Sequence, residues 1–411
     1  MARGAGFPEA DQFVNEGMLS HLRVLDCSFG IAGPYGTRLM AGFGADTIKI
    51  EPPRTGDPQR HRGPFHRGQP GLERSLSFHW LNGGKRGVTL DLSHSRAPEL
   101  VRSLIATADI LVESFEPGAL ERWGFGIDAL HAINPGLILI SISDFGQTGP
   151  RRHWKATEIV HYAMSGAMSL TGDRDRPPLN SGPAITHYTA GLHAYLAALL
   201  AYQRRQRDGI GEWVDVSIQE SALENVEIKL AEALLANHDA IRNGDSHALV
   251  PWECYPTADG AAAIIAGPLR NWSQGASALG DPEMLEPPFT TITGRIAHRQ
   301  EVHARVRAAL AGKSKREIYH RGQEAGLAFG YLASLAEALQ SPQHEQRGFF
   351  QLTATHPEVG QLVSMAAPFQ SAWHRWHLGR APQLGEHNAA VYGALGHSPA
   401  TLSELEDIGA L

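Results

Sequence analysis

The stretch LRVLDCSFGIAGPYGTRLMAGFGADTIKIEPP (Leu22–Pro53) reads as one strand–helix–strand unit. Leu22–Leu25 is a short apolar run suited to a strand, and Ser28–Gly33 is a loop of mostly small residues. A helix starts near Pro34, and Thr47–Glu51 is the second strand. Proline suits a helix start because the first turn has no use for its missing N–H. Gly42 or Gly44 suits the end, where the backbone turns left-handed. Two apolar strands joined by a helix form a βαβ unit, and βαβ units build parallel sheets.

The same grammar repeats downstream. RGVTLDL reads as a strand, SRAPELVRSLIATA as a helix and DILVESF as a strand ending at Ser114. PGALERWG is a short helix, and GLILISISDFG is a nearly continuous apolar strand. Strands without alternation are buried on both faces, between two layers of helices. The expected fold is therefore a doubly wound, Rossmann-like α/β domain with its site outside the C-terminal ends of the strands.

After a polar stretch (Gln147–Pro183) comes a long helix, Thr189–Arg205, then a strand in EWVDVSIQES and a helix over Glu220–Asn237. From about Asn243 the pattern changes: ECYPTADGAAAIIAG reads as a hairpin, and helices with the proline-rich EPPFTTITG follow. This predicts a smaller α+β domain at 240–324, joined by a connecting helix at 216–239 to a large domain made of 21–215 and 325–411. A polar arm (1–20) precedes both.

A chain of 411 residues accommodates one large or two ordinary domains. The formal net charge of −7 gives no general attraction to nucleic acid or to an anionic membrane. The longest apolar helical stretch, LHAYLAALLAY, is too short to span a bilayer, and MARGAGFPEADQFVNEG lacks the apolar core of a secretory signal. The two cysteines, Cys27 and Cys254, make no disulfide framework, so a reducing, cytoplasmic setting is expected.

Three features invite chemistry. GIAGPYG (Gly30–Gly36) sits where a dinucleotide fold places its pyrophosphate turn, with Glu51 at the ribose-binding position. Its spacing is G-x-x-G-x-x-G, which is as readily explained by close packing. KIEPPRTGDPQRHRGPFHRG (Lys49–Gly68) concentrates five cationic side chains on a proline-rich loop, suited to an anionic ligand or to plain solvation. The 21 histidines contain no HExxH, and His187 and His193 do not share a helix face, so no metal is expected.

Taken together, further motifs become specific. AGPYGTRLMAGFGADTIKIEPP, NGGKRGVTLDL, DILVESFEPGALERWGFG, NPGLILISISDFGQTGP, MSGAMSLTG, DGIGEWVDVSIQESAL and PQLGEHNAAVYGALG occur in that order. The chain thereby resembles the family III CoA-transferases, which include formyl-CoA transferase, carnitine CoA-transferase and α-methylacyl-CoA racemase. The resemblance implies an interlocked-ring homodimer that takes acyl-CoA and, for transferases, a carboxylic acid acceptor. It implies that coenzyme A lies across the large domain, against Phe29, Gly30, Ile31, Ala32, Ser114, Phe115 and Arg122. Lys85, Arg86 and Lys155 match further family positions near CoA.

One position departs from that pattern. Family transferases carry an aspartate just before the long helix, and its place in SGPAITHYTAG is taken by His187. The second acidic position is kept as Glu158, while the histidine that racemases place before it is Thr157. His187 and Glu158 are thus the candidate catalytic residues. The first expectation is proton transfer on an acyl-CoA, of isomerase, epimerase or dehydratase type, with the two as an acid/base pair. The alternatives are CoA transfer with Glu158 as the covalent carboxylate, and a CoA-binding protein without catalysis. Trp252 and Tyr255 are candidates for the acyl pocket.

Overall fold

Six strands form one parallel sheet: β1 (Arg23–Cys27), β2 (Asp46–Glu51), β3 (Arg86–Thr89), β4 (Ile110–Glu113), β5 (Ile138–Ser143) and β6 (Trp213–Ser217). Their spatial order is β3-β2-β1-β4-β5-β6, that of a doubly wound sheet, the fold class expected from the sequence. The computed structural model describes residues 17–226, 228–242, 244, 247–266, 272–372, 374 and 376–411. Of the expected arm, 1–16 lie outside the described residues.

Helices α1 (Ala32–Gly42), α2 (Leu76–Asn82), α3 (Ala97–Ile105), α4 (Ala119–Arg122) and α5 (Ile127–Ile133) alternate with the first strands. After β5 come α6 (Glu158–Met164), α7 (Ala167–Leu170) and α8 (Ile185–Asp208), and after β6 comes α9 (Ile218–Leu223). Successive strand residues serve opposite faces. Leu25, Ile48, Leu111 and Leu139 join Leu100 and Leu104 of α3 and Leu130 of α5 in one core. Val24, Ile110, Ile138 and Ile140 join Met40 of α1 and Ala190, Ala194, Ala198 and Ala201 of α8 in another. Each Leu, Ile, Val or Met side chain so removed from water contributes about 1.5–3 kcal/mol, and two covered faces explain why the strands lack alternation.

The alanine stripe lets α8 lie close on α1, and two glycines bring the backbones closer. A Cβ on Gly36 would stand 2.9 Å from the Gly191 carbonyl oxygen, and one on Gly191 would stand 2.5 Å from that of Ala32. Gly33 is similarly closed in by Ser28. Gly30 differs, having a left-handed φ of 76° and open space around it. Two of the three motif glycines therefore serve packing.

The C-terminal segment returns to the free edge of β3. The N–H of Gly87 donates to His387 Nδ1 (3.1 Å) and that of Thr89 to Asn388 Oδ1 (2.9 Å), while the Tyr392 hydroxyl donates to Thr89 O (2.9 Å). These contacts satisfy groups that an open sheet edge would leave unpaired.

The chain divides into two compact units. The first holds the described residues up to Met168 together with Asn180–Ala231 and Gln343–Leu411. The second holds Ser169–Leu179 and Glu232–Pro342. In the second, β7 (Trp252–Thr257), β8 (Gly260–Ile265) and β9 (Phe329–Tyr331) form an antiparallel sheet, with β7 and β8 as the expected hairpin. Tyr255 is fully buried in that unit's core and bonds His303 Nδ1 through its hydroxyl (2.8 Å), which gives it a packing role rather than a place on an acyl pocket. Trp252 stacks on His247 with ring centroids 3.9 Å apart. No helix among the described residues is long and apolar enough to cross a membrane.

Candidate active site

In a parallel sheet the strand order reverses where successive crossovers leave in opposite directions, and a crevice opens there beyond the strand ends. Here that point lies between β1 and β4. The turn after β1 (Phe29–Ala32) faces the turn after β4 (Ser114–Pro117) across a cleft of about 920 Å3 that opens to solvent. The Phe29 N–H donates to Ser114 Oγ (2.7 Å), and the rings of Phe29 and Phe115 meet edge to face at 5.5 Å. The remaining walls come from Ile142–Asp144 at the end of β5, Arg152–Lys155, Arg62, His187 and Ile218.

A buried charge cluster holds the β1 turn in place. Asp26 accepts from the Ser28 N–H (3.0 Å), Thr37 Oγ1 (2.8 Å) and Lys85 Nζ (2.8 Å). Lys49 Nζ lies 2.8 Å from Asp57 and donates to the Ser28 carbonyl. Burial would raise the Asp26 carboxyl, but Lys49 and Lys85 outweigh it and hold it well below the ordinary carboxylate range.

This cluster decides the fate of several sequence candidates. Lys85 is buried and shares its ammonium among Asp26, the Pro34 carbonyl and Asn82 Oδ1, so it braces the turn and does not line the cleft. Arg86 begins β3, at the opposite end of the strand from the cleft, and pairs with Asp46 at 2.6 Å. Arg122 lies off the lining and pairs with Glu116, which is on it; Lys155 stands 3.6 Å from the same carboxylate. Phe29, Gly30, Ile31, Ala32, Ser114, Phe115, Lys155 and His187 all line the one cleft.

Glu51 has no oxygen free for a ribose. Arg60 holds both its oxygens (2.7 and 2.9 Å), and all of these groups are buried. The cationic loop is thus split in function: Lys49 and Arg60 are consumed in the interior, while Arg62 reaches the cleft.

The long helix starts four residues earlier than its periodicity suggests, at Ile185, so His187 stands inside the first turn. The reason is Glu158. Its two oxygens accept from the Thr186 N–H (3.1 Å) and the Thr186 hydroxyl (2.5 Å), satisfying a donor that the helix start would leave unpaired. Glu158 itself opens α6. No hydrogen bond joins Glu158 to His187, so the acid/base pair drawn from the sequence is not assembled.

His187 has a different neighbourhood. Its ring meets His161 edge to face at 5.6 Å. His161 is fully buried, with Nε2 3.2 Å from Asp144 Oδ1 and Nδ1 3.3 Å from Gln219 Oε1. The second Asp144 oxygen accepts from the Ala156 N–H (2.9 Å). Burial, aided by His161, pushes the His187 pKa below its ordinary value against the pull of Glu158 and Asp144. Burial would raise the Asp144 carboxyl, yet the His161 and Ala156 hydrogen bonds prevail and lower it. The two shifts thus favour a neutral imidazole and an ionised carboxylate on one cleft wall.

Asp144 and His161 escaped the sequence reading. The available signal for Asp144 was its place directly after an apolar strand, where open α/β sheets keep their ligands. His161 carried none, since a histidine on a short helix is ordinarily structural. Among the described residues no group of three or more His, Cys, Asp or Glu side chains could hold a metal ion.

Comparison with known proteins agrees with this architecture. Residues 19–388 match the model of CoA-transferase family III. The chain is 35% identical to the succinyl-CoA–D-citramalate CoA-transferase of Chloroflexus aurantiacus, over 91% of this chain and 93% of that one. It is 31% identical to the formyl-CoA:oxalate CoA-transferase of Streptomyces avermitilis, covering 96% and 99%. A crystal structure of a CAIB/BAIF family protein from Brucella suis superposes with a TM-score of 0.83 at 29% identity, covering 92% of this chain and all of that one. A doubly wound sheet, a cleft at its switch point and a match across nearly the whole length converge: the chain belongs to CoA-transferase family III, a family of acyl-CoA-dependent enzymes.

Proposed function

We propose that the protein transfers CoA from an acyl-CoA to a carboxylic acid, and that the acid is a dicarboxylate. The observation that carries this reading is the cleft itself. It sets the first turn of α1 opposite Ser114 and Phe115, beneath a rim holding Arg62, Arg152 and Lys155. Helix-start N–H groups and guanidinium or ammonium side chains suit the phosphates of CoA and the spare carboxylate of a diacid. The relatives' names add support, since succinate, citramalate and oxalate are all dicarboxylates.

Proton transfer was the first expectation from the sequence. It loses support because Glu158 is committed to Thr186 and gives His187 no hydrogen-bonded partner. A homodimer is part of the proposal: Leu192, Leu196 and Leu200, four residues apart on α8, form an exposed apolar stripe that a second copy would cover.

The test is mass spectrometry of succinyl-CoA incubated with the protein and a panel of free acids (citramalate, oxalate and glutarate among them) in D2O. A new acyl-CoA made from the added acid, with no deuterium in either acyl chain, is the expected result. Deuterium entering the acyl chain, or loss of water from it without any acceptor, would overturn CoA transfer in favour of proton-transfer chemistry.

A further inference from the structure

The transfer reading requires a carboxylate that can attack a thioester, and the position where such an aspartate was expected holds His187. Among the described residues two carboxylates line the cleft, Glu116 and Asp144. Glu116 is half exposed at the rim, where Arg122 and Lys155 neutralise it. Glu158 lies off the lining with both oxygens engaged by Thr186. Asp144 stands beside His187 on the inner wall, one residue beyond β5, with its side chain 26% exposed.

We infer that Asp144 is the catalytic carboxylate of this chain, standing in for the one absent at His187. This rests on the transfer reading above. Three features of its setting suit the task. Its oxygens are oriented by one hydrogen bond each, from Ala156 N–H and from His161, which leaves lone pairs for attack. His161 is buried and anchored on Gln219, so the carboxylate is held at a fixed angle to the cleft. His187 packs against His161 from the cleft side and completes the wall, its own protonation disfavoured by burial.

The steps balance without any other reagent. An Asp144 oxygen bonds to the acyl carbon of the donor thioester, the C–S bond breaks and CoA thiolate leaves, giving a mixed anhydride. The thiolate then attacks the Asp144 carbonyl carbon, expelling the donor acid as its carboxylate and leaving an Asp144–CoA thioester. The acceptor carboxylate attacks this thioester, CoA thiolate leaves again, and it attacks the acceptor's acyl carbon. The products are the new acyl-CoA and the free Asp144 carboxylate, which keeps one oxygen from the acceptor.

That retained oxygen supplies the test. The full chain is turned over with succinyl-CoA and 18O-labelled acids from the panel above, digested, and its peptides are weighed. The expected result is 18O in the peptide bearing Asp144, including in the Glu158→Gln chain. Asp144→Asn should bind CoA normally yet lose roughly 10^3-fold or more in transfer. Label on Glu158, Glu116 or another carboxylate, or undiminished transfer by Asp144→Asn, would overturn the assignment while leaving CoA transfer intact. Absence of transfer to every acid would instead overturn the transfer reading, and this assignment with it.

Discussion

Replacing Glu113 with glutamine should stabilise the protein at neutral and alkaline pH. Glu113 ends β4 directly before the Ser114–Phe115 wall of the cleft and is only 4% exposed. Its Oε2 accepts from the Phe115 N–H (2.6 Å), and the Ser141 hydroxyl is a second partner. Among the described residues no cation pairs with it. Burial therefore dominates and pushes the carboxyl up from 4.5 to about 7, against those two hydrogen bonds and with added repulsion from Glu121 and Asp215.

The unfolded chain releases this proton near 4.5 and the folded chain keeps it until about 7, so in that window the native state binds more protons. Stability must then fall as the pH rises through the window. At about 1.4 kcal/mol per pH unit the loss approaches about 3 kcal/mol above pH 7. Glutamine keeps the shape and an acceptor for the Phe115 N–H, and it has no proton to lose. Urea unfolding of both proteins at pH 5 and pH 8 measures the effect. The variant should gain up to about 3 kcal/mol on the native chain between those conditions. A stability difference that does not move with pH would refute the argument.

Two further expectations concern the cleft's supports. Gly191→Ala would drive a Cβ to 2.5 Å from the Ala32 carbonyl oxygen, so α8 must back away from the wall it shares with α1. The expected cost is about 1–3 kcal/mol, with weaker CoA binding by calorimetry; an unchanged Tm and affinity would contradict it. Asp26→Asn leaves Lys85 buried without its carboxylate and should cost about 3–5 kcal/mol at neutral pH in denaturant titrations. Because the Asp26 carboxyl is depressed, its contribution is present above its unfolded value of 3.8 and is lost as the pH falls. The gap between the two proteins should narrow in acid, and a gap of constant size would exclude the charge cluster as its source.

Sequence alone determined the succession of elements around the sheet. Leu22–Leu25, Thr47–Glu51, DILVESF and GLILISISDFG read as strands buried on both faces, and that burial is written locally as short apolar runs. The β7–β8 hairpin was equally legible, because its turn chemistry lies within a few residues. The motifs between Leu22 and Gly396 carried the family resemblance, and with it the cleft positions Phe29–Ala32, Ser114, Phe115, Lys155 and His187.

Tertiary structure decided which polar groups meet. Lys85, Arg60 and Glu51 look like ligand-binding residues along the chain, yet each is spent on a buried partner brought in by another segment. The start of α8 was misplaced because the group that caps it, Glu158, lies on α6. The Asp144–His161–His187 array is drawn from a strand end and two helices, and no periodicity encodes it. Apolar patterning reports how deeply a residue is buried. The identity of a buried polar group's partner depends on how crossovers bring distant segments together, and that exists only once the chain has folded.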